Sequence, residues 1–247
     1  MYLTTKALVL RVTDYNDRDS LLTLLTDEYG KLTVKARGLR RKNSPLIAPC
    51  QLLAYAEFTL FENKGFYTVN EAASIELFQG LRRDRTRLSL GTYFAQAAEV
   101  MSQEDMPNPE LLSLVLNCLY ALTGLGRSEE QVKAVFELRA ACIAGFQPEL
   151  RGCHGCGSLD NLFFDLSGGA LVCNRCRGLS VGDIRMPVSS GVLAAMQYIV
   201  SCDSKRLFSF SVGQENLSQL ASLTEAYLTT QLERGFSTLD FYKSLLI

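Results

Sequence analysis

Cys153 and Cys156 are separated by two residues, as are Cys173 and Cys176, and sixteen residues lie between the two pairs. Two residues between ligands let one tight turn present both thiolates to the same ion, and two such turns complete the tetrahedron that Zn2+ accepts. The intervening NLFFDLSGGALV reads as a hairpin turning at Ser167-Gly168-Gly169, which folds the second pair back beside the first. Gly155 or Gly157 in one turn and Gly178 in the other help backbone amides point at sulfur. A closed shell of four sulfurs leaves no position for a substrate, so one zinc ion with a structural role is expected, and a redox dithiol pair is the lesser reading. The only histidine, His154, lies between two ligands and could replace a neighbouring cysteine, but a solvated ring is expected. A single histidine also removes most Ser-His-Asp and Cys-His schemes, and the sequence holds no P-loop, dinucleotide-binding glycine fingerprint or HExxH motif. The chemistry on offer is binding rather than catalysis.

The binding candidate is KLTVKARGLRRK, which carries Lys31, Lys35, Arg37, Arg40, Arg41 and Lys42 with no acidic residue among them. It runs up a strand into a loop, with Gly38 permitting a turn and the last three cations at the tip. Cations on a barrel loop are well placed to meet phosphates, and aromatic platforms beside such a groove hold the bases of a single strand. Tyr55, Phe58, Phe61, Phe66 and Tyr67 in the strands that follow are the candidate platforms. The blander reading makes the aromatics core and the charges a solvated edge that discourages strand pairing. A second basic cluster follows at Arg82, Arg83, Arg85 and Arg87, interrupted only by Asp84.

The whole chain of 247 residues has a formal net charge of -1, which argues against a protein basic all over and leaves any nucleic-acid contact to such local clusters. With 47% apolar residues it can bury a real core. No apolar run approaches the roughly 20 residues of a membrane span, and the opening MYLTTKALVLRVTDYNDRDS lacks the pattern of a signal peptide. The chain therefore reads as cytosolic, where a disulfide framework is not expected. Cys50, Cys118, Cys142 and Cys202 then read as lone buried thiols.

Two periodicities divide the chain. From residue 2 to about 77, ALVLRV, SLLTLLT, KLTVKA, LLAYAEFTLF and GFYTVNEAASI alternate with the two-residue period of strands. Five short strands in that span fit a small barrel, of the oligonucleotide-binding (OB) kind or the SH3-like kind. Beyond about residue 80 the period becomes helical. Helices are expected over about Arg87 to Met101, after the cap pair Asn108-Pro109, and after Ser128, whose capping box includes Gln131. Helical patterns resume at about Ser190 to Val200 and Leu217 to Leu232, with a last turn from Asp240 to Leu246. The expected architecture is multidomain α+β. An OB-fold β-barrel occupies residues 1–80, and an α-helical domain at 81–247 carries an inserted four-cysteine zinc element at about 150–182.

The sequence also resembles the RecO family, the bacterial recombination mediators, over essentially its whole length. ALVLRVTDYNDRDSLLTLLTDEYGKLTVKARGLRR is similar to that family's opening strands, its acidic-polar loop and its Gly-Lys strand ending in Ala-Arg-Gly. VFELRAACIAGFQPELRGCHGCG resembles its helix, its Gly-Phe-x-Pro break and its first cysteine pair, and GGALVCNRC its second pair in zinc-holding members. The connection KNSPLIAPCQLL departs from that pattern.

The resemblance implies an OB domain, a helical domain with the zinc element, and no nucleotide-driven enzymatic activity. It further implies a cytoplasmic, nucleoid-associated protein of DNA repair and recombination after DNA damage, which binds single- and double-stranded DNA and anneals complementary strands. The implied partners are the acidic C-terminal tail of the single-strand-binding protein, RecR and in some cases RecF, with RecA loading as the outcome. An acidic tail ending in an apolar residue needs a cation beside an apolar groove, and Lys133 and Arg139 near Val132, Val135 and Phe136 are the expected partner-binding residues. The alternatives are an RNA-associated zinc-containing adaptor and a metalloenzyme.

Overall fold

The structure is a computed structural model and describes residues 1–179 and 184–246, so the expected far edge of the cysteine element at residue 182 lies outside the described residues. The chain divides into two compact units, Met1–Gly124 with Phe236–Ile247, and Leu125–Gly235.

In the first unit β1 (Tyr2–Asp14), β2 (Ser20–Thr26), β3 (Lys31–Ala36), β4 (Tyr55–Asn63) and β5 (Phe66–Glu76) close a barrel in the order β1-β2-β3-β5-β4. The closing pair β3–β5 is parallel, with Val34 opposite Tyr67, and the other pairings are antiparallel. Because β5 lies between β3 and β4, the barrel is a Greek key. Of the two barrels compatible with the strand pattern, it is the OB-like one. Alternation dictates the core: Val9, Leu22, Leu24, Val34, Phe58 and Leu60 point inward and are fully buried. Each contributes about 1.5–3 kcal/mol by leaving water. A bulge between Val9 and Arg11 turns β1 so that its first half pairs with β4 and its second half with β2.

The departing connection KNSPLIAPCQLL forms a succession of turns, and it seats Leu46 and Cys50 in the barrel core. Burial pushes the Cys50 thiol up to about 12, which makes it an inert packing residue.

Asp84 accepts from the amides of Thr86 and Arg87 and so starts α1 (Arg85–Met101), two residues earlier than its apolar stripe suggests. α1 packs on the outer face of β1 and β2, over the outward-facing Leu8, Leu10 and Leu25. Its far end is tied down by Arg11, whose guanidinium lies 2.8 Å from Glu99. α2 (Pro109–Thr123), capped by Asn108 as expected, lies against α1.

Following Glu129–Ile143 (α3), the second unit holds a four-stranded sheet of β6 (Glu149–Cys153), β7 (Leu162–Asp165), β8 (Ala170–Cys173) and β9 (Arg185–Val188), in the order β6-β8-β7-β9. α4 (Ser190–Ser201) and α5 (Gln214–Gln231) complete it, and α3 packs against both. Ser128 caps α3 through the Gln131 amide, at 3.2 Å. The reciprocal half of the capping box is not made, because the Gln131 side chain donates to the Phe210 carbonyl instead. The β7–β8 hairpin turns where the Ser167-Gly168-Gly169 pattern predicts, held by the Asp165 carboxylate, which accepts from the Ser167 and Gly168 amides. Phe164 anchors this hairpin edge-on to Tyr227 of α5, with ring centroids 5.0 Å apart.

The chain returns to the first unit with α6 (Ser237–Ser244). There Phe236 meets Tyr93 of α1 at 5.4 Å between centroids, and the Thr238 hydroxyl donates to Gln96. Among the described residues no helix is long and apolar enough to cross a membrane.

Candidate nucleic-acid interface and metal centre

The six cations of the Lys31–Lys42 stretch divide by what they touch. Lys31 reaches α1, where its ammonium donates to the Glu99 carbonyl at 3.2 Å. Lys35 lies 3.0 Å from Asp19, and Arg40 both pairs with Asp14 at 3.3 Å and donates to the Asn16 carbonyl. Arg37, Arg41 and Lys42 are exposed. Gly38, at φ +67°, makes the turn, and a Cβ there would lie 3.3 Å from the Arg41 guanidinium that crosses it.

Asp19, which sequence reasoning missed, holds this end of the barrel together. Its carboxylate accepts from the Gly38 amide at 2.9 Å, from Asn16 and from Lys35, and these bonds hold it down to about 2. The β1–β2 loop and the exit of β3 are thereby fixed to each other. The same loop carries Tyr15, whose ring has the Lys35 ammonium 4.5 Å from its centroid. No sequence signal marked either residue, because DYNDRD reads as an ordinary turn.

The five aromatic candidates separate in the same way. Phe58 is wholly buried, and Tyr55 and Tyr67 are partly buried. Phe66 is 78% exposed, and Phe61 is exposed and meets Tyr2 in a tilted contact with ring centroids 5.2 Å apart. In the second basic cluster Arg82 donates to the Leu52 carbonyl and Arg87 to the Leu122 carbonyl, while Arg83 and Arg85 are exposed.

The cysteine pairs converge. All four sulfurs lie within 4.8 Å of one another, and Cys156 and Cys173 are 3.6 Å apart. A tetrahedron with metal–sulfur bonds of about 2.3 Å has edges of about 3.8 Å, so the set fits a single ion. The parallel pairing of β6 with β8 places Cys153 opposite Leu171, and the Cys173 amide donates to the Cys153 sulfur at 3.2 Å. A Cβ on Gly152 would lie 2.7 Å from the Gly157 carbonyl oxygen, so only glycine lets the first cysteine turn close on itself. Burial raises the Cys153 thiol, but the amides of Cys173, Cys156 and Gly155 outweigh it and hold the thiol down to about 6. Cys176 is pushed up to about 12 by the sulfurs of Cys156 and Cys173. A cation shared among the four sulfurs would let all of them stand as thiolates. His154 stands outside the cluster, exposed, with its ring 3.3 Å from Glu149.

The expected partner-binding pair is not presented to a ligand. Lys133 is 5% exposed, and its ammonium sits between Glu137 at 2.9 Å and Glu225 at 2.7 Å. Arg139 donates to the Ile199 and Val200 carbonyls and so caps α4. Helical spacing showed both cations but not the groups on α4 and α5 that claim them. An apolar groove does exist in the first unit, of about 390 Å3 between α1 and α6, lined by Leu88, Phe241 and Leu245 with Arg85 beside them. The Ser89 hydroxyl, 5% exposed, lines it without a hydrogen-bond partner.

Two family profiles match the chain, "Recombination protein O N terminal" over residues 1–78 and "Recombination protein O C terminal" over residues 82–240. A protein of Acetivibrio thermocellus named "DNA repair protein RecO" is 34% identical, over 99% of this chain and 97% of its own length. Proteins of the same name from Alkaliphilus metalliredigens and Bacillus subtilis are 30% and 28% identical, over 99% and 90% of this chain and 100% and 86% of their own lengths.

Proposed function

Because the chain belongs to the recombination protein O (RecO) family and its role lies in DNA repair, we propose that it is a DNA-binding recombination mediator that anneals single strands coated by the single-strand-binding protein. In this reading it is not an enzyme, it works in the cytoplasm at the nucleoid, and it acts with RecR, and with RecF where that partner is present, to promote RecA loading. The observation that carries the reading is the cation-rich end of the OB-like barrel, where Arg37, Arg41 and Lys42 stand exposed on a scaffold fixed by Asp19. Annealing requires phosphate repulsion to be screened while base edges stay free, and cations that touch only the backbone do that. The four cysteines would hold one zinc ion, which supplies a cross-link between two turns and leaves the chemistry of DNA untouched.

If Arg37, Arg40, Arg41 and Lys42 each neutralise one phosphate, they contribute about -3 to the slope of log affinity against log salt, so a fourfold rise in salt weakens their share on the order of 50-fold. Arg40 is engaged with Asp14 and Asn16, so the informative variant is R37A/R41A/K42A. It should flatten the slope for single strands by about 2 and weaken binding alike across sequences, with zinc content unchanged. An unchanged slope and affinity would show the run to be a solvated face and would move the DNA site to Arg83 and Arg85.

For the tail of the single-strand-binding protein, the α1–α6 groove offers what Lys133 and Arg139 do not. It has an apolar lining, a cation in Arg85 and an unpaired hydroxyl in Ser89. An R85E substitution should lower affinity for the acidic tail peptide at least about 10-fold, as loss and reversal of one interfacial charge does. Equal peptide affinity in a calorimetric titration takes the tail elsewhere.

A further inference from the structure

Among the exposed aromatic rings of the barrel, Tyr15 alone is built into the cation-rich end. Its residue is 57% exposed, yet its position is fixed from three sides. The Tyr15 and Asn16 amides both donate to the Asp19 carbonyl, at 3.1 and 3.3 Å. The Asn16 side chain accepts from the Arg18 and Asp19 amides. Asp19 in turn is bound to Gly38 and Lys35, and the Lys35 ammonium closes one face of the ring at 4.5 Å. The loop is therefore a turn held by its own hydrogen bonds and by bonds to the exit of β3, and it presents an exposed ring with one face covered by Lys35.

A solvated tyrosine gains nothing from such restraint. A tyrosine that must receive a planar ligand does, because ordering the ring before binding removes that cost from the binding step. Phosphate-binding cations lie on the adjacent turn, tied to this loop by the bonds Gly38–Asp19 and Arg40–Asn16. A strand whose backbone follows Arg37, Arg41 and Lys42 would thus pass beside the ring. The loop between the first two strands is also where OB barrels receive oligonucleotides.

We propose that Tyr15 is the base-stacking platform of this barrel, taking one unpaired nucleobase on the face opposite Lys35. The proposal rests on the reading of the barrel end as the DNA site. It makes that site selective for single strands, since a base inside a duplex has no free face. Stacking on an aromatic ring is sequence-tolerant, as an annealing site requires.

The test uses the full chain and three variants, Y15A, Y15F and Y15W, with a homopolymeric single strand and a duplex of equal length. Y15A should weaken single-strand binding on the order of 10-fold with the salt slope unchanged, Y15F should bind within about twofold of the parent, and duplex affinity should not move for either. The protein has no tryptophan, so Y15W carries the sole indole and its emission should be quenched by the single strand and not by the duplex. Unaltered binding by Y15A, while R37A/R41A/K42A weakens it, removes the platform and leaves the phosphate site standing. Unaltered binding by both removes the barrel-end reading itself. An indole in Y15W that stays unquenched with the single strand bound also overturns the proposal.

Discussion

Replacing Lys133 with methionine should destabilise the Leu125–Gly235 unit by about 3–5 kcal/mol at pH 8, the cost of leaving a buried charge without its partner. Glu137 is completely buried, and its charge faces the Lys133 ammonium at 2.9 Å and the Thr224 hydroxyl, which donates to it at 2.9 Å. Burial raises the Glu137 carboxyl to about 7 even though Lys133 and Thr224 act to lower it. Its folded value thus exceeds its unfolded value, so the folded state binds the extra proton. The stability this group contributes is complete below about 4.5 and is lost as pH rises through about 7. K133M removes the ammonium that favours ionisation of Glu137, so its cost should shrink at pH 6, where the carboxyl takes up a proton instead of standing as an anion without that ammonium. The double variant K133M/E137M should recover most of the loss, because it removes the charge as well as its partner. Urea unfolding at the two pH values measures all three quantities. Equal destabilisation of K133M at pH 6 and pH 8 would contradict this account of the cluster.

Removal of the zinc ion proposed for the four cysteines should have a larger effect still. The sheet β6-β8-β7-β9 is short, and β6 pairs with β8 at Glu149–Ala170 and Cys153–Leu171, so apart from a few backbone bonds such as His154 amide to Leu171 carbonyl the first cysteine turn depends on its sulfurs. Structural zinc in elements of this size contributes apparent free energies of about 10–16 kcal/mol at neutral pH. The purified protein should contain close to one equivalent of zinc by elemental analysis. A strong chelator, or C173S, should abolish protection of the β6 and β8 amides in hydrogen exchange. Protection of the barrel strands should persist, because their core of Leu22, Leu24, Phe58 and their neighbours belongs to the other unit. Less than about half an equivalent, with chelators excluded from the preparation, removes the metal assignment.

What could be read from the sequence and what could not follow the range of the interactions. Cap residues act on amides two or three positions away, so Asn108 and Ser128 announced their helices. The cysteine turns and the Ser167-Gly168-Gly169 hairpin are equally local, and the sulfurs meet as their spacing requires. Alternation separated strands from helices but could not choose between two barrels, because that choice is the parallel pairing of β3 with β5 across an intervening strand. Long-range claims on side chains were the least legible. Lys133 reads as a surface cation until Glu225 of α5 is brought beside it, and Arg139 until the end of α4 is. Asp19 and Tyr15 were invisible for the same reason, since their meaning depends on Gly38 and Lys35 on another strand.

The helix that closes the first unit has a consequence for synthesis. The barrel, α1 and α2 are complete in sequence by Gly124, but α6 follows only after the whole of Leu125–Gly235. At roughly 5–20 residues per second a ribosome takes on the order of 5–25 seconds to pass between them. During that interval the α1 surface that receives Phe236 is bare, and Tyr93, buried in the finished fold, lacks its edge-on partner. The nascent chain therefore holds a folded barrel with an unfinished apolar flank, a surface suited to a chaperone on the ribosome and vulnerable to a protease without one. Quality control can act on such a chain only until its last helix has emerged and docked.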